Sequence, residues 1–294
     1  MAESWRNVGP TGWAALCASG KLIARGPLND TYRVDLEGAA YLVRHRTVYD
    51  DAYGQTFAGE RHVPDRLRRL LRVPALFDVV SDADGRETFA IFEFLETSHT
   101  QPGVDPLELP EILATIHTTP GPGLGDLGRS LEQASVVDFL SGLIEEELRR
   151  LGRASAECMV REAGHGVLRA AECFEGETPC LCHGDVHAAN FLRRRDGWIS
   201  VLDWEAVRFR VAAADFNQLH DRWLSPSADR AVMRAYAEQT GRDLASFARQ
   251  VTSLRFLWHV RTFNFHVLVR GDSPSRHLRH LTGALGQARL IGRS

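Results

Sequence analysis

Between Leu181 and Glu205 the chain reads LCHGDVHAANFLRRRDGWISVLDWE, and its oxygen-bearing side chains are spaced for phosphoryl transfer. Asp185 follows His183-Gly184, Asn190 stands five residues after Asp185, and Asp203 thirteen residues after Asn190. An amide oxygen and a carboxylate suit Mg²⁺, a hard cation that takes oxygen ligands and keeps some of its waters. Asp185, ahead of both, is placed to accept the proton of an attacking hydroxyl. Phe191-Leu192 and the run from Trp198 to Leu202 predict two short strands joined by the turn dipeptide Asp196-Gly197. Such a hairpin returns Asn190 and Asp203 to one end. Two other readings compete for the stretch. One is a polar surface hairpin whose Asp and Asn serve turns. The other is a zinc site built from Cys180, Cys182, His183 and His187. The pattern C-x-C-H-x₃-H is not a common zinc spacing. Alternating cysteines also fit one face of a buried strand.

Protein kinases use a base Asp, an Asn five residues on and a later metal Asp in this order. The stretch resembles the aminoglycoside phosphotransferase and choline kinase superfamily, the kinases of small molecules. Their signature H-G-D-x-H-x-x-N, followed by an apolar strand ending in I-D-W/F-E, stands here as His183-Gly184-Asp185-Val186-His187-Ala188-Ala189-Asn190 and Leu202-Asp203-Trp204-Glu205. The resemblance implies a two-lobed, protein-kinase-like α+β fold. A β-rich, nucleotide-binding N-lobe would span residues 1–96, and a mostly helical C-lobe with the catalytic loop and acceptor-binding helices residues 97–294. It further implies transfer of the ATP γ-phosphoryl group to a small-molecule hydroxyl. Asp185 would be the base, Asn190 and Asp203 the Mg²⁺ ligands, and His183, His187 and Glu205 their support. Ala212-Ala-Ala-Asp215-Phe matches the family's A-x-D segment, so Asp215 is expected as a buried carboxylate bracing the catalytic loop.

The elements that must position these groups follow from patterning. Residues 12–19 predict a short helix closed by Gly20, and a strand, turn and strand run from Lys21 through Tyr32. Gly26 and Asn29 permit the backbone there to come close to a phosphate, although a plain hairpin reads the same. By resemblance the segment is the nucleotide loop, with amides from Gly26 to Asp30. Ala40 to Arg44 predict a third strand ending in a cation. The family places a Lys or Arg here for the α- and β-phosphates, which implies Arg44. Arg46 lies two residues on and shares its face, and a solvated strand-end Arg is the plain alternative. Thr56 to Glu60 and Pro64 to Leu71 read as helical with a break near Pro64. Glu60 is the implied partner of Arg44. Ala75 to Val80 and Glu87 to Phe94 read as strands around Asp82-Ala-Asp-Gly85. The segment after them resembles the family's link between lobes, which offers backbone near Glu93 and Leu95 to an adenine edge. Phe92 and Phe94 are its walls or simply core.

Further on, Leu107 to His117 predict a helix, with His117 as a structural hydrogen-bonder. Leu131 to Arg150 and Ser155 to Phe174 read as amphipathic helices. The run Glu145-Glu146-Glu147 is a solvated face or a wall for a cationic substrate. Ser225-Pro226 gives an N-cap and a first-turn proline. Leu244 to Val269 and Arg276 to Ile291 close the chain as helices, the first rich in aromatics.

Composition limits the remaining classes. With 44% hydrophobic and 25% charged residues the 294-residue chain is an ordinary globular sequence. A net charge of −3 gives no footprint for nucleic acid. No apolar run of about 18 residues predicts a membrane span. Five cysteines without regular spacing and an N-terminus without a signal-peptide layout lead to the expectation of a cytoplasmic protein, monomer or homodimer. The charge is uneven. Residues 97–205 carry 18 acidic against 9 basic groups, and residues 206–294 carry 6 against 14. The family resemblance implies an antibiotic as acceptor, aminoglycoside-like, nucleoside-like or sugar-containing, and its inactivation or self-resistance as the outcome. Acceptor-binding helices drawn from the basic segment favour a neutral or weakly charged compound over a polycation, with the aminoglycoside close behind on the resemblance. A housekeeping kinase of choline, a sugar or an amino acid, and a nucleotide-binding module without turnover, remain alternatives.

Overall fold

A computed structural model describes residues 4–26, 28–49, 57–96, 104–126, 131–132, 134–150 and 173–273. The chain forms two compact units, Met1–Val104 with Ala189–Val207, and Asp105–Ala188 with Arg208–Ser294. The Asn190–Asp203 hairpin therefore groups with the first unit, where a division at residue 96 would leave it with the second.

The first unit is built on five antiparallel strands in the order β1-β2-β3-β5-β4. They are β1 (Lys21–Arg25), β2 (Asn29–Leu36), β3 (Ala39–Arg46), β4 (Leu76–Ser81) and β5 (Glu87–Glu93). Helix α1 (Pro10–Ser19) packs Trp13 and Cys17 onto one face of the sheet, against Val34, Tyr41, Val43, Phe89 and Ile91. Gly20 permits the tight exit from α1, because a Cβ there would stand 2.8 Å from the Arg33 carbonyl oxygen. Side chains alternate along a strand. With Tyr41 and Val43 committed to the α1 face, Leu42, Arg44 and Arg46 fall on the other, beside Phe57, Ala90 and Phe92. That second face carries the polar chemistry. A 3₁₀ turn at Phe57–His62 and helix α2 (Asp65–Leu70) follow β3, interrupted at Val63-Pro64 as the sequence predicts.

Phe191–Arg193 pairs with Ile199–Val201 in the register Phe191 to Val201. The connection is longer than the two-residue turn expected from Asp196-Gly197. Arg194 pairs with Trp198 across a three-residue loop, Gly197 closing it at φ +84°. The left-handed geometry that glycine supplies is used, but inside a wider turn. The purpose of the hairpin survives this correction, since the Leu202 amide donates to the Asn190 carbonyl at 2.8 Å and brings both ends together.

The second unit holds helices α3 (Leu109–His117), α4 (Val136–Arg150), α5 (Leu219–Arg222), α6 (Pro226–Thr240) and α7 (Leu244–Asn264). A small sheet joins Gly125–Asp126, Arg208–Arg210 and Cys180–Cys182. Ser225 and Asp243 cap α6 and α7 by accepting from the Ala228 and Ser246 amides. Phe247, Phe256 and Phe263 are buried along α7, as aromatics at helical spacing usually are. Arg255 of the same helix is also buried, bonded to Asp229 and to the Phe216 carbonyl, so its charge is paired. The helix predicted over Ser155–Phe174 lies almost wholly outside the described residues, and the one over Arg276–Ile291 entirely so. No helix among the described residues is long and apolar enough to cross a membrane.

Candidate active site

The first unit gathers a buried ion cluster on the polar face of its sheet. Arg44 Nη1 donates to Glu60 Oε1 at 3.1 Å and to Asp203 Oδ1 at 2.7 Å. Arg46 donates to Glu205 Oε2 at 3.3 Å, and the Asn29 amide donates to both Glu205 oxygens. Each guanidinium lies over an aromatic ring, Arg44 over Phe92 at 5.2 Å and Arg46 over Phe57 at 4.3 Å. Such buried, stacked cations are the arrangement for which Arg is better suited than Lys. The two arginines of β3 differ in their partners: Arg44 bonds to Glu60 and Asp203, and Arg46 to Glu205.

Asp203 leaves its strand in the left-handed region, at φ 63° and ψ 61°. A β-branched or bulky residue would be strained there; Asp tolerates it. The turn re-aims the carboxylate toward Arg44. The electrostatics follow from crowding. Burial opposes the charge of Arg44, and Asp203, Glu60 and Glu205 outweigh it, so Arg44 is held firmly charged. Burial pushes the Glu60 carboxyl up to about 8, with Arg44 opposing and Asp203 adding to the rise. Glu205 rises to about 7 by burial and the neighbouring Asp203. Three carboxyls crowd around two guanidiniums, and this crowding adds to burial in raising Glu60 and Glu205.

Between β1 and β2, the Gly26 amide donates to the Asn29 carbonyl at 2.8 Å, and a Cβ on Gly26 would meet that oxygen at 2.9 Å. The turn therefore requires glycine, while Asn29 spends its side-chain amide on Glu205. The segment after β5 divides the two residues expected near an adenine. The Glu93 amide is already donated to the Ala75 carbonyl at 2.9 Å, and the Glu93 carboxylate accepts from the Ala75 amide. Leu95, half-buried beyond the strand, has no backbone hydrogen bond among the described residues. Phe92 is core, and Phe94 lies against Arg33.

The second unit carries Asp185 on the loop after Cys180–Cys182. Asp215 is fully enclosed and accepts from the His183 amide at 2.8 Å, the Gly184 amide at 2.8 Å and His117 Nε2 at 3.1 Å. Burial alone would raise its pKa; the His117 hydrogen bond and the nearby charges hold it below the usual range. His117 is tied by its other nitrogen to the Tyr236 hydroxyl at 2.7 Å and acts as a structural bridge. His183 is buried, and its Nδ1 accepts from the Asp185 amide at 3.3 Å. Gly184 turns at φ +85°, in the left-handed region that glycine favours. Asp185 Oδ2 lies 3.3 Å from His187 Nε2, and Oδ1 lies 2.6 Å from Arg222 Nη1. Burial opposes its charge, but the His187 bond and then the Arg222 charge hold the carboxyl well below the usual range, so it is ionised.

Arg222, and Gln218 whose side-chain oxygen accepts from it at 2.8 Å, are absent from the sequence reading. Arg222 stands 37 residues from Asp185, and no spacing rule connects them. The zinc set does not form. Among the described residues, His117, Cys180 and Cys182 lie within 4.8 Å of one another, without His183 or His187. The glutamates of α4 are also accounted for. Glu147 is buried on the Asn264 amide and Arg261, Glu146 pairs with Arg149 and Arg150, and only Glu145 is exposed.

The sequence model of the phosphotransferase enzyme family matches residues 19–248. The chain belongs to this family, and is thus a small-molecule phosphotransferase with a hydroxyl acceptor. Solved structures share its kinase-like fold. A thermostable mutant of aminoglycoside phosphotransferase APH(4)-Ia, in complex with AMP-PNP and hygromycin B, is 15% identical over 93% of each chain with a TM-score of 0.65. The GDP complex of an aminoglycoside 2'-phosphotransferase-IIIa mutant is 15% identical over 96% of each chain, TM-score 0.63. Macrolide 2'-phosphotransferase MphH from Brachybacterium faecium is 20% identical over 90% of this chain and 91% of its own, TM-score 0.60. No curated protein matches the chain.

Proposed function

We propose that the protein moves the γ-phosphoryl group of ATP to a hydroxyl of a neutral or weakly charged antibiotic, sugar-containing or nucleoside-like, and so inactivates it. The observation that carries the phosphoryl chemistry is Arg44 held between Glu60 and Asp203. A strand cation with a buried acidic partner and a neighbouring metal-type Asp is the equipment of a kinase nucleotide site. Arg44 grips the α- and β-phosphates as a permanent cation, with the Gly26–Asp30 loop beside them. Leu95, whose backbone has no hydrogen bond among the described residues, meets the adenine edge better than Glu93 does.

Asn190 and Asp203 fit Mg²⁺. Both are oxygen donors at one end of a hairpin, and the Asp203 carboxylate keeps a quarter of its surface exposed. When bound, the ion supplies neutralisation of phosphate charge. Asp185 accepts the proton of the attacking hydroxyl. That oxygen bonds to the γ-phosphorus as the bond to the bridging oxygen breaks, leaving ADP and a phosphate monoester. Asp215 fixes the loop that presents Asp185. The reaction runs in the cytoplasm, where ATP is supplied.

The acceptor reading rests on charge. Of the three glutamates available to neutralise a polycation, Glu146 and Glu147 are already paired within the second unit. A guanidinium, Arg222, sits directly on Asp185. A cationic amine next to the reacting hydroxyl would meet that charge. Hygromycin B bound to one structural neighbour, and the macrolide activity naming another, support an antibiotic as acceptor class. An ADP-release screen comparing neutral hydroxylated antibiotics, kanamycin-like polycations and choline tests it. Turnover of the neutral compounds is expected; efficient turnover of polycations alone, falling steeply with salt, overturns it.

A further inference from the structure

Asp185 is gripped from outside its own loop, and that grip closes a ring. Arg222 Nη1 donates to Asp185 Oδ1 at 2.6 Å and to Gln218 Oε1 at 2.8 Å. Gln218 Nε2 donates in turn to the Gly184 carbonyl at 3.2 Å. Gln218 is buried, and Arg222 is four residues on, its amide bonded to the Gln218 carbonyl at 3.0 Å. The ring runs from the loop backbone through the Asp185 carboxylate, the guanidinium and the glutamine amide, and back to the residue before Asp185.

From this we infer that Arg222, held in place by Gln218, is a positioning residue for the base. The inference rests on the reading of Asp185 as proton acceptor. A carboxylate has about four lone-pair sites. Arg222 takes one on Oδ1, and His187 Nε2 is in reach of Oδ2. Two anchors on opposite oxygens fix the rotation of the carboxylate. A general base held in one rotamer supplies the proton-accepting geometry without rearrangement at the moment of transfer.

A purely structural role is the alternative to exclude. The Arg222 side chain keeps 38% of its surface exposed, and an ion pair of that kind contributes little to stability. Its removal should therefore leave the fold intact and act on turnover. The half-exposed site is also open to a small cation from solution.

The experiment uses Arg222→Ala, Arg222→Lys and Asp185→Ala, each checked for an unchanged thermal transition, with the acceptor found in the ADP-release screen. Arg222→Ala is expected to lose roughly tenfold to a hundredfold in kcat, less than the roughly 10²–10⁴ that a general base supplies. Its KM for nucleotide should stay within about twofold of wild type. Millimolar guanidinium should restore part of the lost kcat, equal concentrations of neutral urea should not, and Arg222→Lys should retain part of it. A normal kcat in Arg222→Ala, or a loss that guanidinium and Lys both fail to restore, overturns the positioning role while Asp185→Ala remains inactive. Near-normal turnover by Asp185→Ala overturns the base assignment and this inference with it.

Discussion

Replacing Asp215 by Asn should cost both stability and turnover, and the size of the loss follows from its contacts. The carboxylate accepts two backbone amides at 2.8 Å and His117 Nε2 at 3.1 Å, with no exposure of its side chain. Asparagine keeps one acceptor oxygen and turns an NH₂ toward the other amide. One buried N–H loses its partner, at about 1–3 kcal/mol, and a charge-assisted bond becomes a neutral one, at roughly 1 kcal/mol more. The sum is about 2–4 kcal/mol, a large part of a typical stability of about 5–15 kcal/mol. With a urea m-value near 2–3 kcal/mol/M, the midpoint should fall by roughly 1 M. The pH dependence has a defined sign. The folded carboxyl is held below its ordinary pKa of 3.8, so its contribution is fully present above that pH and is lost as pH falls through the folded pKa. Asparagine does not titrate. The gap between wild type and variant should therefore narrow below about pH 3.8, and also as pH rises past 6.5 through the raised pKa of His117, because Asp215 is one cause of that rise. Because the two amides flank Asp185, kcat should fall in the same variant at temperatures where it is folded. Urea midpoints between pH 3 and 8 and steady-state kinetics are the assays. A midpoint shift under about 0.2 M, together with normal kcat, would refute the bracing role.

Arg44→Ala should raise KM for ATP and lower kcat together, with Arg44→Lys far milder and Arg46→Ala leaving KM for ATP near wild type; the reverse pattern would move the phosphate role to Arg46. Asp203→Ala should abolish Mg²⁺-dependent nucleotide turnover and Asn190→Ala should weaken it, which Mg²⁺ titrations of the initial rate would reveal; unchanged curves in both variants would mean a different ligand set. Glu147→Ala removes the buried carboxylate that pairs with Arg261 and accepts from the Asn264 amide, which keeps the Glu147 carbonyl, and should lower stability by about 1–3 kcal/mol without altering KM for nucleotide; an intact melting temperature would show that the carboxylate adds nothing to the packing of α4 on α7.

What the sequence made legible was local. The H-G-D-x₄-N spacing and the apolar run before Asp203 are signals read within a span of some twenty residues, and the strand alternation that puts Arg44 opposite Tyr41 and Val43 follows from a period of two. The wider turn at Arg195–Gly197 was not legible, because Asp-Gly serves two-residue and longer loops alike. Groups joined across long stretches of chain were equally hidden. Asn29 meets Glu205 from 176 residues away, and Arg222 meets Asp185 from 37. Both depend on packing that no local period encodes. Glu147 illustrates a different gap: a run of three glutamates reads as a solvated face, yet the helix rotation buries the third against α7. The Glu93 amide shows the same limit in a strand, since its pairing with Ala75 is set by sheet register.

The most direct test of the central claim follows the phosphate itself. Wild type and Asp185→Ala, both folded, are incubated side by side with Mg²⁺-ATP and the hydroxylated acceptor panel, and ADP and phosphorylated products are quantified by mass. The account predicts acceptor-dependent ADP release by wild type, with the phosphate recovered as a monoester on an acceptor hydroxyl, and loss of both in Asp185→Ala. Equal release by the two proteins, or phosphate recovered only in inorganic form, would contradict it.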